Sequence, residues 1–200
     1  HARQLGKSYG RGDAAVHALT DVSFTIESGE FVGIMGESGA GKSTLLSILG
    51  AMNTPTTGKL TMEDIDLYGL KAEQRADFRR EFLGFVFQSF NLIDELTVYE
   101  NVELPLIYLK KKVSERKALV NAVLERMKIG HRAKHFPQQL SGGQQQRVAI
   151  GRAVVANPKL ILADEPTGNL DAETSDKVER LLFDLNRESG TTLVMVTHDM

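Results

Sequence analysis

Cysteine is absent from the 200-residue chain, which excludes disulfides and thiolate-bound metal and suits a reducing compartment. Long apolar runs are missing too: none approaches the roughly 20 residues that a bilayer-spanning helix needs. No signal peptide is apparent. Nor is there an excess of either charge, with Lys+Arg 24 against Asp+Glu 26 and a formal net charge of -2. A pI near 6.2 leaves no basic footprint for gripping duplex nucleic acid, so no nucleic-acid partner is expected. What is present is a chain of 42% hydrophobic residues, enough for one large domain or for a core with one inserted lobe. The chain begins with His1 rather than Met and stops at Met200 just after an apolar strand, so both ends look cut.

One stretch organises the rest. Gly36-Glu37-Ser38-Gly39-Ala40-Gly41-Lys42-Ser43-Thr44 fits G-x-x-x-x-G-K-[ST], the pattern of a phosphate-binding loop. Its glycines let backbone N–H groups turn inward as a nest for an anionic phosphate chain. Lys42 adds a mobile positive charge for β- and γ-phosphates, and the Ser43 hydroxyl can ligate Mg²⁺. At average residue frequencies the pattern arises by chance in on the order of one chain in a hundred of this length. The alternative is a glycine-rich turn without a ligand, and the context argues against it. Phe31 to Met35 reads as a buried strand before the loop, and Leu45 to Leu49 continues as an apolar helix after it. That helix is predicted to begin at about Gly41, with its positive dipole end aimed at the phosphates.

Taken in order, Ala2 to Tyr9 and Val22 to Glu27 read as strands around the loop Gly10-Arg11-Gly12-Asp13. Tyr9, judged by spacing alone, is an ordinary half-buried aromatic. Gly58 to Met62 reads as a strand, Ala72 to Phe82 as a solvated helix, and Leu83 to Phe87 as a short apolar strand ending in Gln88. From Ser89 the pattern changes. Thr97 can cap a helix over Val98 to Leu109, Lys110-Lys111-Lys112 is a solvated turn, and Ser114 to Met127 repeats apolar residues at helical spacing. Ser141 is a natural N-cap for the next helix, and Gly142 and Gly143 at its start leave two readings about even: an anion site or a plain capped helix.

Lys159 to Pro166 is an apolar run ending in Asp164 and Glu165, as suits a central parallel strand covered on both faces. Ligands of open α/β sheets sit at the carboxyl ends of the strands, which directs both carboxylates toward the phosphate loop. Adjacent carboxylates repel unless a cation offsets them, and Mg²⁺ would do so. Thr167 to Asp171 is a turn and Glu173 to Glu188 an amphipathic helix ended by Gly190. Thr191 to Thr197 is the last strand, with His198 at its carboxyl end.

Together these stretches resemble the ATP-binding subunit of an ABC transporter, over essentially the whole chain and in the same order. Leu140-Ser141-Gly142-Gly143-Gln144 matches the family signature, and its pairing with the phosphate loop and with LILADE is highly specific. The runs from Phe85 to Leu92, Glu100 to Leu106 and Ala163 to Asp171 are similar to the lipoprotein-releasing and macrolide-exporting branch, with the cell-division type nearby. The resemblance implies a P-loop NTPase of the α/β class: a RecA-like core sheet plus an antiparallel β part, with an inserted α-helical subdomain. The core lobe would comprise about 1–88 and 155–200, and the helical subdomain about 89–154. By the resemblance His198 is the switch histidine, and further strands and a helix would be expected after it.

The resemblance also implies roles. Residues Gly36 to Thr44 would hold ATP, Tyr9 would stack on adenine, and Ser43, Gln88 and Asp164 would hold Mg²⁺. Glu165 would be the general base, with Lys42, Gln88 and His198 completing the catalytic set. Ser141, Gly142, Gly143, Gln144 and Asp171 would reach the ATP of a second copy in a head-to-tail dimer. The implied partner is a membrane permease, separate or fused, received near Phe90, Leu92, Ile93 and Leu96, which would place the chain on the cytoplasmic face of the cell membrane. A soluble mechanical ATPase fits less well, because the long coiled-coil insertion or second cassette of that class is not seen here. A nucleotide kinase would share only the phosphate loop. A cell-division signalling ATPase remains open on sequence.

Overall fold

Two sheets carry the fold of the computed structural model, which describes residues 1–10 and 12–198. Arg11, in the expected first loop, lies outside them. The antiparallel sheet is built from β1 (Ala2–Tyr9), β2 (Val16–Phe24), β4 (Thr57–Met62) and β5 (Ile65–Asp66) in the order β2-β1-β4-β5. The parallel sheet has the order β3-β8-β7-β6, from β3 (Phe31–Met35), β8 (Thr192–Thr197), β7 (Leu160–Asp164) and β6 (Leu83–Phe87). In its register Met35 lies beside Thr197 and Phe87 beside Asp164, so the functional candidates gather at the carboxyl ends of the strands.

Most elements fall where hydrophobic spacing puts them. β2 is the exception: it begins at Val16 rather than Val22. Its early half carries His17, Thr20 and Asp21, and its pairing with β1 shifts register three times, so no clean alternation marks it as a strand. β5 is a two-residue strand that no periodicity could announce.

The parallel sheet is covered on both faces. One face packs with the antiparallel sheet and with α1 (Lys42–Leu49), through Leu5, Ile48, Leu60, Leu162, Val194 and Val196. The other meets α3 (Val98–Tyr108), α4 (Val113–Arg126), α5 (Gly142–Val154) and α6 (Ala172–Ser189), through Val102, Leu124, Val148, Ile161, Leu182 and Leu193. α2 (Ala72–Phe82) leads into β6. Val148 and Ile150 of α5 belong to the same cluster as Val102 of α3 and Val86 of β6, so one helix serves the helical region and the sheet at once.

Polar side chains fix the connections. Thr97 caps α3 by accepting the Glu100 amide, and Glu100 returns the bond to the Thr97 amide. Asn101, fully buried, accepts the Ile93 amide and donates to the carbonyls of Ile93, Leu96 and Thr97, which pins the segment leaving Gln88 onto α3. Gly190 closes α6 in the left-handed region at φ 64°, where other residues pay a steric penalty.

Candidate active site

The loop between β3 and α1 is exposed from Gly36 to Ala40. Gly41 sits at φ 86°, and a Cβ there would run into the Ala18 carbonyl, so only glycine lets the loop lie against the β1–β2 hairpin. No side chain caps α1. Among the described residues the amides of Gly39, Gly41, Lys42 and Ser43 have no hydrogen-bond acceptor, whereas the Ala40 amide donates to the Glu37 carbonyl. Free amides at a helix N-terminus form an anion site. The Lys42 ammonium, 8% exposed, is folded over this cradle and donates to the carbonyls of Gly36 at 2.6 Å and Glu37 at 2.7 Å. An entering phosphate chain would exchange those carbonyls for its own oxygens.

Acidic groups close the other side. The Ser43 hydroxyl donates to Asp164 Oδ1 at 3.3 Å. Burial pushes the Asp164 carboxyl above the ordinary aspartate range; the Ser43 bond pulls it back, and neighbouring Glu165 pushes it up again. This is an under-compensated carboxylate beside a hydroxyl, a donor set that suits a hard cation such as Mg²⁺. Among the described residues no group of three or more His, Asp or Glu side chains could hold a metal.

Glu165, at φ 45°, holds a left-handed backbone that costs a non-glycine residue energy. Its carboxylate is paired with His198 Nε2. The other ring nitrogen of His198 lies 3.4 Å from Lys42 Nζ and 3.2 Å from the Gly36 carbonyl. A neutral ring accepts from Lys42 there, and a protonated ring donates to Gly36. Phosphate loop, acidic strand end and final strand therefore converge through three side chains.

Other expected residues sit elsewhere. Gln88 makes no hydrogen bond to Ser43 or Asp164; its amide nitrogen donates to Asn169 Oδ1 at 3.2 Å, and Asn169 returns a bond to the Gln88 carbonyl. Gly168 leaves the space that the Gln88 amide fills. Ser141 accepts the Gln144 amide while Gln144 accepts the Ser141 amide, a closed capping box. Gly142 faces Leu170, and Gly143 faces Thr174. Asp171 caps α6 through the Thr174 amide and hydroxyl, which lower its carboxyl's pKa. Among the described residues no hydrogen bond joins any of these to residues 36–44. Tyr9 is 44% exposed; Lys7 lies over its ring at 5.1 Å, and its hydroxyl accepts from Asn53.

Two residues escaped sequence reasoning. Gln146 of α5 is fully buried and donates to the carbonyls of Phe87 and Pro166, just before Gln88 and just after Glu165, while its own Oε1 has no partner. Arg152 of the same helix donates to the carbonyls of Asn91 at 2.7 Å and Phe90 at 3.0 Å, both residues in the left-handed region. α5 thus grips the chain on both sides of Gln88. Polar residues within an otherwise apolar helix face were the one available signal for both.

An apolar groove of about 370 Å³ opens between the sheet edge and α3, lined by Met52, Phe85, Phe87, Leu104, Pro105 and Tyr108 together with Arg79, Arg80 and Arg152. Phe90, Leu92, Ile93 and Leu96 do not line it. Leu92 packs into the core and only Ile93 of the four is exposed, because Asn101 and Arg152 fold that segment inward.

A family model described as ABC transporter matches residues 19–168. An uncharacterised ABC transporter ATP-binding protein of Methanocaldococcus jannaschii, MJ1508, is 49% identical over 99% of this chain and 88% of its own length. The lipoprotein-releasing system ATP-binding protein LolD of Idiomarina loihiensis is 43% identical over 99% of this chain and 87% of its own. Among solved structures, a dimeric post-hydrolysis state of the ATP-binding cassette MJ0796 bound to ADP and Pi superposes with a TM-score of 0.89 at 46% identity, covering 99% of this chain and 87% of that one.

Proposed function

The chain belongs to the ABC transporter family and is an ATP-hydrolysing cassette; from that premise we propose that two copies, facing head to tail around two ATP molecules, drive a membrane permease. The observation that carries this reading is the convergence of Lys42, Ser43, Asp164, Glu165 and His198 at the carboxyl ends of the parallel strands. Lys42 and the amides of the loop bind the phosphates. Ser43 and Asp164 would hold Mg²⁺, whose chemistry there is to neutralise charge on the β- and γ-phosphate oxygens. Glu165 takes a proton from water as the water oxygen bonds to the γ-phosphorus and the bond to the ADP oxygen breaks. His198 orients that carboxylate and faces Lys42.

Ser141, Gly142, Gly143 and Asp171 do not meet the loop of their own chain, so in this reading they cap the γ-phosphate of the other copy. Tyr9 offers its ring to adenine. Gln88, tied to Asn169, senses the phosphate site and swings toward Mg²⁺ on closure. The permease contact falls in the groove at Phe85, Phe87 and Leu104, which sits where α5 grips the segment around Gln88. Among the described residues no helix is long and apolar enough to cross a membrane, so membrane attachment would come through the permease, on the cytoplasmic face. The transported class is that of the LolD-like branch: lipoproteins, peptides or macrolide-like amphiphiles.

The test is Glu165→Gln. It should keep ATP affinity, lower turnover by roughly 10²–10⁴-fold, the usual worth of a general base, and accumulate an ATP-dependent dimer in sedimentation. Near-normal turnover would refute the base assignment, and a monomer under saturating ATP would refute the dimer.

A further inference from the structure

The turn between α3 and α4 carries two features that a solvated connection does not need together. Five of the eleven residues 107–117 are Lys or Arg and only Glu115 is acidic, in a chain whose net charge is -2. Lys111 pairs with Glu115 and Arg116 with Glu103, but Lys110, Lys112 and Lys117 are exposed and have no ion-pair partner among the described residues. Three large apolar side chains bracket these lysines: Ile107 at 44%, Tyr108 at 61% and Val113 at 68% exposure. Lysine-rich turns are common and lone exposed apolar residues are common. Their coincidence on one tip is the signature of a surface seated at a charged apolar boundary.

The tip is also built to hold its shape. Lys110 takes the left-handed conformation, its amide donates to Ile107, and the Lys111 amide donates to Leu106, which closes the end of α3. Tyr108 additionally lines the groove whose charged residues are Arg79, Arg80 and Arg152, with no carboxylate among its walls. Arg80 pairs with Asp77, and Arg79 and Arg152 donate to backbone carbonyls, so among the described residues the unpaired cations of this region are the lysines of the tip.

We propose that the α3–α4 turn is a contact for an anionic lipid surface, with Ile107, Tyr108 and Val113 entering the headgroup boundary and Lys110, Lys112 and Lys117 facing the headgroup phosphates. The surface lies apart from the nucleotide site, and the proposal needs none of the catalytic assignments. Charge complementarity selects the occupant: free lysine ammoniums match a dense array of lipid phosphates, and exposed aromatic and aliphatic side chains gain by leaving water there.

The test is co-sedimentation of the chain with vesicles of phosphatidylglycerol and phosphatidylcholine in equal parts, against vesicles of phosphatidylcholine alone. Binding should be confined to the anionic vesicles and be lost at high salt. The triple variant Lys110→Glu, Lys112→Glu, Lys117→Glu should bind roughly a hundredfold more weakly, at the attraction per lysine typical of anionic leaflets. Ile107→Ser with Tyr108→Ser should weaken binding while leaving its salt dependence in place. All five substituted side chains are exposed, and circular dichroism melts of the variants should match the parent. Equal binding to both vesicle types, binding unchanged by charge reversal, or full competition by inorganic phosphate would each overturn the proposal. So would an absence of vesicle binding alongside capture of a purified acidic permease fragment that the triple variant loses, which would give the surface to a protein partner.

Discussion

His198 Nε2 meets Glu165 Oε1 across the carboxyl ends of the last two parallel strands, while its Nδ1 faces the Lys42 ammonium at 3.4 Å. One imidazole thus stands between the carboxylate proposed to take a proton and the cation proposed to hold phosphate. His198→Ala should lower kcat by about 10²-fold or more, within the range for removing a group that acts on proton transfer. KM for ATP should change far less, because the loop amides and Lys42 remain. Steady-state kinetics separates the two, and equal losses in binding and turnover would place His198 in ground-state binding instead.

Asp164 yields the pH-dependent prediction. Burial raises its pKa above the ordinary aspartate value of 3.8, so ionising it costs stability. That cost is absent well below 3.8, grows as pH rises through the raised value, and is complete at neutral pH. Asp164→Asn should therefore melt higher than the parent at neutral pH without Mg²⁺, and the difference should vanish in acid. The same variant should lose the added thermal stability that Mg²⁺ and ATP confer by mass action on the parent. A lower melting temperature at pH 7 would show that the Ser43 bond outweighs the burial.

Tyr9 presents one ring face to Lys7 and its hydroxyl to Asn53, which leaves the opposite face for a base. Tyr9→Ala should weaken ATP binding by about 1–3 kcal/mol, the usual worth of a base–aromatic stack, or roughly tenfold to a hundredfold in Kd. Tyr9→Phe should bind nearly as the parent does. Calorimetric titration of both variants decides, and unchanged affinity in Tyr9→Ala would make the ring structural.

Gln146 carries a prediction that only its buried contacts suggest. Gln146→Leu strands the Pro166 carbonyl, at about 1–3 kcal/mol for a buried group left unpaired, takes one of two donors from the Phe87 carbonyl, which keeps the Phe90 amide, and removes an Oε1 that already lacks a partner. Urea unfolding should show a net loss of stability within that range. The ATP-dependent dimer should also weaken, because α5 carries Ser141, Gly142 and Gly143 at its start.

Local signals are strong in this chain, and they were legible. The phosphate loop, the caps Thr97 and Ser141, the spans of α2 and β6, and the glycine that ends α6 depend on residues within one turn or one strand of each other. A cap or a tight turn is a short-range bargain between a side chain and its own backbone, so sequence alone states it. The early half of β2 was hidden because bulges break the alternation by which strands announce themselves.

What tertiary structure alone decided is which distant groups meet. The pairing of Glu165 with His198, of Gln88 with Asn169, and the hold of Gln146 and Arg152 on both sides of Gln88 join residues brought close only by the order β3-β8-β7-β6 and the packing of α5 on it. The same packing moved the groove from Phe90–Leu96 to Phe85, Leu104 and Tyr108. The physical reason is burial: once α5 and Asn101 satisfy the carbonyls of that segment, its apolar side chains turn inward, and no local pattern records where a buried amide will find its partner.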